Sequence, residues 1–422
     1  MKALLPFIAA VAIFAPQQPP GTLYDEAKVP AIVLPDPLVM NNGERVRDAR
    51  TWSEQRRPEI LEMYRSQVFG RVPAGAPVVA ARVDSVDTRA LGGRAIRKLV
   101  TITFGRDPDA RTARLLLYLP SGSKRPAPVF LGLSFAPVQT LSADPGVPIE
   151  GQWERIPDTK QIARAVPVDS SRGTSASRWQ LDMVLERGYG LAAIYYGDIE
   201  PDFADGMRLG VRGLPAGTGG AEPAPDEWGA ISAWAWALSR AMDYLETDRD
   251  VDANRVAVVG HSRLGKTALW AGAQDPRFSI VVSNDSGEGG AAISRRMFGE
   301  RTRNLNTAFP HWFCGNFKKY NEREAAMPFD AHFLLALVAP RALYVASAEE
   351  DLWADPRGEF LAAVRAGPVY ELLGRKGLGT DAFPEVNHPV GNAVRYHVRT
   401  GKHDITAYDW DQYLRFADAQ WR

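Results

Sequence analysis

Cysteine is almost absent from this chain. Cys314 is its only one in 422 residues, so no disulfide can form within the chain. A fold without disulfides depends on its own hydrophobic core, and a chain of this length can bury a large one. Histidine and cysteine do not cluster in the sequence, and we therefore expect neither a metal ion nor an organic cofactor.

An excess of charge of either sign is also missing. Lys and Arg together number 50, as do Asp and Glu, which leaves no net charge. This balance disfavours nucleic acid and anionic membrane surfaces as partners. Repeats and low-complexity tracts are absent too. The composition is that of a globular enzyme, which we expect to be a monomer.

The N-terminus carries a short apolar run. It covers residues 4–15, follows Lys2 and ends in small residues, a pattern typical of a secretory signal peptide and short for a membrane span. No cysteine follows it, which disfavours a lipoprotein anchor. We expect residues 1–20 to be a signal peptide and leader, residues 21–422 to form a single catalytic domain, and the protein to be secreted or periplasmic.

Strand-like and helix-like segments alternate along the rest of the chain. This alternation predicts a doubly wound, mostly parallel sheet with helices on both faces, a three-layer α/β sandwich. Two stretches rich in Pro and Gly, 136–175 and 200–227, are expected to be insertions, which are uncommon in compact domains unless they serve a site. The predicted strands cover 96–104, 113–119, 128–135, 190–196, 255–259, 278–283, 342–347 and 393–398, and the predicted helices cover 51–68, 178–187, 230–246, 331–337, 358–365 and 407–417.

A serine stands at one predicted strand-to-helix turn. The strand 255–259 is followed by Gly260-His-Ser262, and helix-forming residues begin at Lys266. Such a turn exposes the serine hydroxyl at the end of the sheet, beside a helix N-terminus that favours negative charge. The motif departs from Gly-x-Ser-x-Gly because Gly265 comes one residue late. Ser262 is the candidate nucleophile, and a helix-capping serine is the alternative.

A serine nucleophile needs a base. In this architecture the order along the chain is serine, acid, histidine. His403 lies between the last predicted strand and the last predicted helix, and it is the favoured base. His388, in a loop with Pro and Gly, is the competitor, and for either the ordinary alternative is a solvated loop histidine. His397 lies inside a strand, and His261 is expected to point away from the site.

Two carboxylates follow strand ends and are candidates for the acid that orients the base. Asp285 follows the strand 278–283, and Asp351 follows the strand 342–347. In α/β-hydrolases this acid usually follows the penultimate strand, which favours Asp351. The acidic neighbours of Asp351 are expected to be solvated turn charges.

Two cations lie beside the candidate nucleophile. Arg263 and Lys266 suit a substrate that carries negative charge or develops it, and an exposed helix start is the alternative. Trp353 could stack on a sugar ring or belong to the core.

Taken together, four segments resemble the glucuronoyl esterases of carbohydrate esterase family 15, particularly its bacterial members. The resemblance extends over about residues 190–420, and the segments occur in the family's order. They are Gly260-His-Ser-Arg-Leu-Gly-Lys266, Asn284-Asp-Ser-Gly-Glu-Gly-Gly-Ala291, Ser347-Ala-Glu-Glu-Asp-Leu-Trp-Ala-Asp355 and Tyr396-His-Val-Arg-Thr-Gly-Lys-His-Asp404.

The resemblance implies an α/β-hydrolase that cleaves esters of glucuronic acid, or of its 4-O-methyl ether, between xylan and lignin alcohols. The family places its acid after either of two strands, and Asp285 stands where glutamate is usual. The shorter side chain shifts the expectation to Asp351. The further implied roles are Ser262 as nucleophile, His403 as base, Arg263 as oxyanion stabiliser, Lys266 as ligand of uronate hydroxyls, and Trp353 and Glu300 as part of the sugar pocket.

Two other functions are compatible with the sequence. An acetyl xylan esterase or general carboxylesterase would use the same triad on other esters. A carbohydrate-binding protein that kept the fold without turnover is the alternative from another class, and the intact candidate triad argues against it. Ser134 stands where bacterial relatives often carry asparagine.

Overall fold

A ten-stranded sheet forms the centre of the molecule. The structure is a computed structural model that describes residues 22–74, 79–122, 126–214 and 223–421. The sheet order is β1-β2-β3-β7-β4-β8-β9-β10-β12-β11, with β5 and β6 in a separate hairpin. The strands are β1 Val79–Arg89, β2 Ala95–Phe104, β3 Arg111–Pro120, β4 Ala127–Ser134, β5 Trp153–Arg155, β6 Ile162–Arg164, β7 Gly190–Tyr195, β8 Val251–His261, β9 Phe278–Asn284, β10 Ala342–Ala348, β11 Val390–Gly391 and β12 Val394–Arg399.

The middle of the sheet is parallel. Strands β7, β4, β8, β9, β10 and β12 pair in parallel in that order. Strands β1, β2 and β3 join the β7 edge antiparallel, and β11 joins the other edge in the same way. The expected mostly parallel, doubly wound sheet is confirmed.

Helices cover both faces of this sheet. The helices are α1 Ala49–Thr51, α2 Arg57–Gln67, α3 Ala90–Gly93, α4 Ala176–Trp179, α5 Leu181–Glu186, α6 Tyr196–Ile199, α7 Ala230–Thr247, α8 Arg263–Gln274, α9 Thr302–Ala308, α10 Ala331–Ala336, α11 Pro356–Leu372 and α12 Ala407–Trp421. Successive residues of β8 alternate between two hydrophobic cores, as strand geometry requires: Val258 packs into the core with α7, α8, α10 and α11, and Val259 packs into the core with α5 and α12.

The predicted elements differ from the observed ones in several places. Helix α11 continues to Leu372, beyond the predicted end at residue 365, and the short elements β5, β6, β11, α3, α6 and α9 have no predicted counterpart. The helix expected over 178–187 is divided into α4 and α5, because Gln180 adopts a left-handed conformation with φ 44° between them. Strand β1 was not predicted, since most of its residues are exposed and it lacks the apolar alternation of a half-buried strand. The predicted helix over 51–68 is present as α1, a π-helical segment Trp52–Arg56, and α2.

Both expected insertions contain short elements. The stretch 136–175 includes the β5–β6 hairpin and a 3₁₀ turn over Val138–Leu141. The stretch 200–227 includes 3₁₀ turns over Gly206–Leu209 and Val211–Gly213. The predicted signal peptide and leader, residues 1–20, lie outside the described residues.

Replacing Gly260 is expected to destabilise the fold. A Cβ at Gly260 would lie 1.9 Å from the carbonyl oxygen of Leu264, in the backbone of α8. Gly260→Ala should therefore lower the melting temperature by several degrees or prevent folding. Gly367→Ala is the matched control, because a Cβ at Gly367 in α11 meets nothing within 4 Å and alanine is the better helix former by about 0.5–1 kcal/mol. Equal melting temperatures for the two variants would contradict this account of the turn.

Candidate active site

Ser262 lies at a strained corner between β8 and α8. Its backbone has φ 58° and ψ −130°, a region that non-glycine residues rarely adopt and that clusters at functional sites. The amide of Ser262 donates to the carbonyl of Asn284 at 2.8 Å, and its own carbonyl accepts the amide of Gly265 at 2.9 Å. These bonds fix the corner between the carboxyl ends of two strands, with the N-terminus of α8 beside the hydroxyl.

His403 and Asp351 form a hydrogen-bonded pair. Nδ1 of His403 lies 2.6 Å from Oδ2 of Asp351. Asp351 follows β10 and is 5% exposed at its side chain, whereas His403 follows β12 and is 42% exposed. The ring of His403 lies 4.5 Å, centre to centre, from that of His261, the residue before Ser262. The pair therefore lies at the nucleophile corner, with a buried acid and an accessible imidazole.

Asp285 lies beside this pair and is not hydrogen-bonded to it. Its side chain is fully buried, and neither carboxylate oxygen has a hydrogen-bond partner within the described residues. The nearest cation is Arg399, whose Nη2 lies 3.5 Å from Oδ2. Burial, reinforced by the charge of Asp351, raises the pKa of Asp285 well above its ordinary value.

Ligand atoms of Asp285, Asp351 and His403 lie within 4.8 Å of one another, a grouping that could hold a metal ion. The direct bond from His403 to Asp351 is also the contact by which a carboxylate fixes the tautomer of a general base. His403 and Asp351 therefore suit proton transfer at Ser262.

The guanidinium of Arg263 is held by a carboxylate and by aromatic rings. Its Nη1 donates to Oδ2 of Asp202 at 2.5 Å. The guanidinium also lies 4.8 Å from the ring centre of Trp312, 5.5 Å from that of Phe309 and 5.6 Å from that of Phe135. Arg263 is thus fixed next to the nucleophile, and the sequence did not reveal these partners.

Lys266, Glu300 and Trp353 come together on the other flank of the corner. Nζ of Lys266 donates to the carbonyl of Ser286 at 2.5 Å and lies 3.8 Å from Oε2 of Glu300. The amide of Glu300 donates to the carbonyl of Trp353 at 2.9 Å. Burial lowers the pKa of Lys266 and raises that of Glu300, and their mutual attraction opposes both shifts. This arrangement offers a cation, a carboxylate and a half-buried indole to a ligand.

The remaining histidines have other contacts. His261 was expected to point away, and its ring instead packs against His403 while its Nδ1 bonds the side chain of Asn284 at 2.6 Å. His397 is buried between Tyr344 and Asp409. His388 is exposed, and its Nδ1 bonds the carbonyl of Val386.

Comparison with known proteins supports one family. The family model of fungal glucuronyl esterases matches residues 223–374. A glucuronoyl esterase from Solibacter usitatus is 58% identical, with a TM-score of 0.89, and the match covers 94% of this chain and 100% of that one. A promiscuous esterase of carbohydrate esterase family 15 from a marine bacterial metagenome is 48% identical, with a TM-score of 0.88, and the match covers 95% and 100%.

This chain belongs to carbohydrate esterase family 15. A more distant relative, a 4-O-methyl-glucuronoyl methylesterase of Schizophyllum commune, is 28% identical over 389 residues, which cover 89% of this chain and 82% of the relative. The expected membership of the glucuronoyl esterases and the α/β-hydrolase fold are therefore confirmed. Within the residues that the structure describes, no helix is long and apolar enough to cross a membrane.

Sequence reasoning missed several groups of this esterase site. Asp202 and Trp312 contact Arg263, His311 contacts Asp202, and none of the three lies in a recognisable motif. Glu359 in α11 accepts the amides of Ser286 and Gly287, at 2.8 and 2.9 Å, and thereby holds the loop after Asp285. Burial raises the pKa of Glu359 to about 7. Only the positions of these residues in space reveal their contacts with the site.

The two acids are expected to contribute unequally. Asp351→Asn removes the carboxylate that bonds His403, and it should lower kcat by about two to four orders of magnitude, because the imidazole loses its orienting partner. Asp285→Asn replaces a side chain that makes no hydrogen bond to His403, and it should cost much less. Steady-state kinetics of the two variants, with melting curves to show folding, test this. Equal losses of kcat would indicate that both acids support His403. A larger loss for Asp285→Asn than for Asp351→Asn would contradict the assignment.

Proposed function

We propose that this protein is a serine esterase that hydrolyses glucuronoyl and 4-O-methyl-glucuronoyl esters between xylan and lignin alcohols. The observation that carries the proposal is the pairing of His403 with Asp351 at the strained Ser262 corner. The names of its relatives, a glucuronoyl esterase and a 4-O-methyl-glucuronoyl methylesterase, supply the substrate class. The proposed enzyme is an exported monomer.

The chemistry follows from the roles of the side chains. Ser262 attacks the ester carbonyl while His403 accepts its proton and Asp351 stabilises the imidazolium. The negative charge that develops on the carbonyl oxygen is stabilised by Arg263 and by backbone N–H groups at the start of α8. His403 then returns the proton to the leaving alcohol. Water, activated by the same histidine, releases the glucuronate and restores Ser262.

The acyl half of the substrate is assigned to the flank formed by Lys266, Glu300 and Trp353. A uronate ring carries hydroxyls on both edges and an apolar face. Lys266 donates to hydroxyl oxygens, Glu300 accepts from hydroxyl hydrogens, and the indole of Trp353 stacks on the face of the ring. The charged groups of this flank, Lys266 and Glu300, are mostly buried, so that a bound ring would be largely shielded from water.

Hydrolysis of benzyl glucuronate by the purified protein tests the proposal. Release of glucuronic acid is expected from the wild type and not from Ser262→Ala or His403→Ala, because the first lacks the nucleophile and the second lacks the base. His388→Ala is the matched control and should keep most of the activity, since His388 is exposed and bonds only its own loop among the described residues. No release by a folded wild type would contradict the proposal.

A broader carboxylesterase is the second candidate. A relative at 48% identity is described as promiscuous, which favours testing other esters. Turnover of methyl glucuronate against an acetylated sugar separates the two functions. A higher kcat/KM for the acetyl ester would move the assignment to an acetyl or general esterase that uses the same triad.

A further inference from the structure

The conformation of Arg263 depends on one carboxylate. Its guanidinium touches three aromatic rings, and contacts of this kind leave the group free to rotate in its own plane. The bond from Nη1 to Oδ2 of Asp202, at 2.5 Å, is directional and fixes that rotation. The Arg263 side chain is still 27% exposed, so its long chain would otherwise have rotamer freedom beside the cleft.

Asp202 is itself fully engaged. Its Oδ1 accepts Nε2 of His311 and Nε1 of Trp312, each at 2.7 Å, and its Oδ2 accepts the hydroxyl of Tyr196 at 3.1 Å. Burial alone would raise the pKa of Asp202, but the hydrogen bond from His311 and the charge of Arg263 outweigh it and lower the pKa. The carboxylate therefore stays ionised.

The residues that hold Asp202 come from separate parts of the chain. Asp202 lies in the insertion 200–227, while His311 and Trp312 lie in the loop after α9. The carbonyls of His311 and Trp312 accept the amides of Ala230 and Ile231 at the start of α7. The loop whose side chains donate to the Asp202 carboxylate is thus bonded to α7, a helix of the core.

Asp202 also balances charge at the nucleophile corner. Arg263 and Lys266 are cations three positions apart on the first turn of α8, where the helix dipole disfavours positive charge. Each has its own carboxylate, Asp202 for Arg263 and Glu300 for Lys266. Without Asp202 the guanidinium would lose its neutralising partner.

From these contacts we infer that Asp202 is a positioning residue for ester hydrolysis. It holds one edge of the Arg263 guanidinium so that the remaining N–H groups are preorganised for the oxyanion of the transition state. This rests on the proposed function, in which Arg263 stabilises that oxyanion. Neither His311 nor Trp312 touches substrate. His311 acts through Asp202, and Trp312 acts through Asp202 and through the contact of its ring with Arg263.

Asp202→Asn tests the inference, because it keeps the shape of the side chain and removes its charge. The expected result is a roughly 10- to 100-fold lower kcat with KM little changed, since a misplaced oxyanion donor weakens the transition state more than the bound substrate. Asp205→Asn is the matched control. Asp205 lies three residues after Asp202, pairs with Arg155 on the surface, and has a side chain that is 43% exposed. Its replacement by Asn should leave kcat unchanged.

A double-mutant cycle separates positioning from general damage. In an Arg263→Ala background, Asp202→Asn should cause almost no further loss of kcat, because the group that it positions is gone. An equal loss in both backgrounds, or a wild-type kcat for Asp202→Asn, would overturn the inference. Tyr196→Phe, which deletes only the hydroxyl that donates to Oδ2 of Asp202 at 3.1 Å, takes the place of Asp202→Asn if that variant does not fold. It should lower kcat a few-fold in the wild-type background only, and an unchanged kcat would overturn the inference.

The cycle is run on benzyl glucuronate and on p-nitrophenyl acetate. Both esters develop an oxyanion, whereas only the first tests the uronate assignment. Coupling of Asp202 to Arg263 on the acetate with no turnover of the glucuronate would retain the inference and reject the proposed substrate. Turnover of both esters with no coupling on either would reject the inference alone.

Discussion

The strained backbone at Ser262 is the constraint on which the rest of the site depends. A residue at φ 58° and ψ −130° persists only where its surroundings over-determine it. Here β8 lies between two parallel strands, and Gly260 leaves room for the backbone of α8. The carbonyl of Asn284 accepts the amide of Ser262. The hydroxyl is consequently placed at the carboxyl edge of the sheet, where the residues that follow β9, β10 and β12 also gather.

Charge at this edge is arranged in pairs. His403 bonds Asp351, Arg263 bonds Asp202, and Lys266 lies near Glu300. Each pair places a carboxylate that is mostly buried behind a group that faces the nucleophile corner. Burying such charges is costly unless they are paired, so the pairs fix the positions of the working groups. Asp285 differs because it has no hydrogen-bonded partner among the described residues, and burial together with the charge of Asp351 raises its pKa.

Features that depend on residues close together in the sequence were predicted, and features that depend on residues far apart in the sequence were not. Ser262, Arg263 and Lys266 lie in one short segment, and the strand ends beside Asp285, Asp351 and His403 follow from the periodicity of buried strands. The contacts of Asp202 with His311 and Trp312 join residues about 110 positions apart through irregular loops. No periodicity or spacing encodes such contacts. The break at Gln180 and the exposed strand β1 were also missed, because no pattern of apolar residues marks either of them.

Ester hydrolysis by a serine nucleophile passes through a covalent intermediate, here an ester of the Ser262 hydroxyl. The most direct measurement is an acid quench of the purified protein during turnover of benzyl glucuronate, followed by peptide mapping by mass spectrometry. A glucuronoyl group on the peptide that contains Ser262, absent from Ser262→Ala, is the predicted result. An unmodified Ser262 peptide, together with hydrolysis that survives Ser262→Ala, would contradict the central claim.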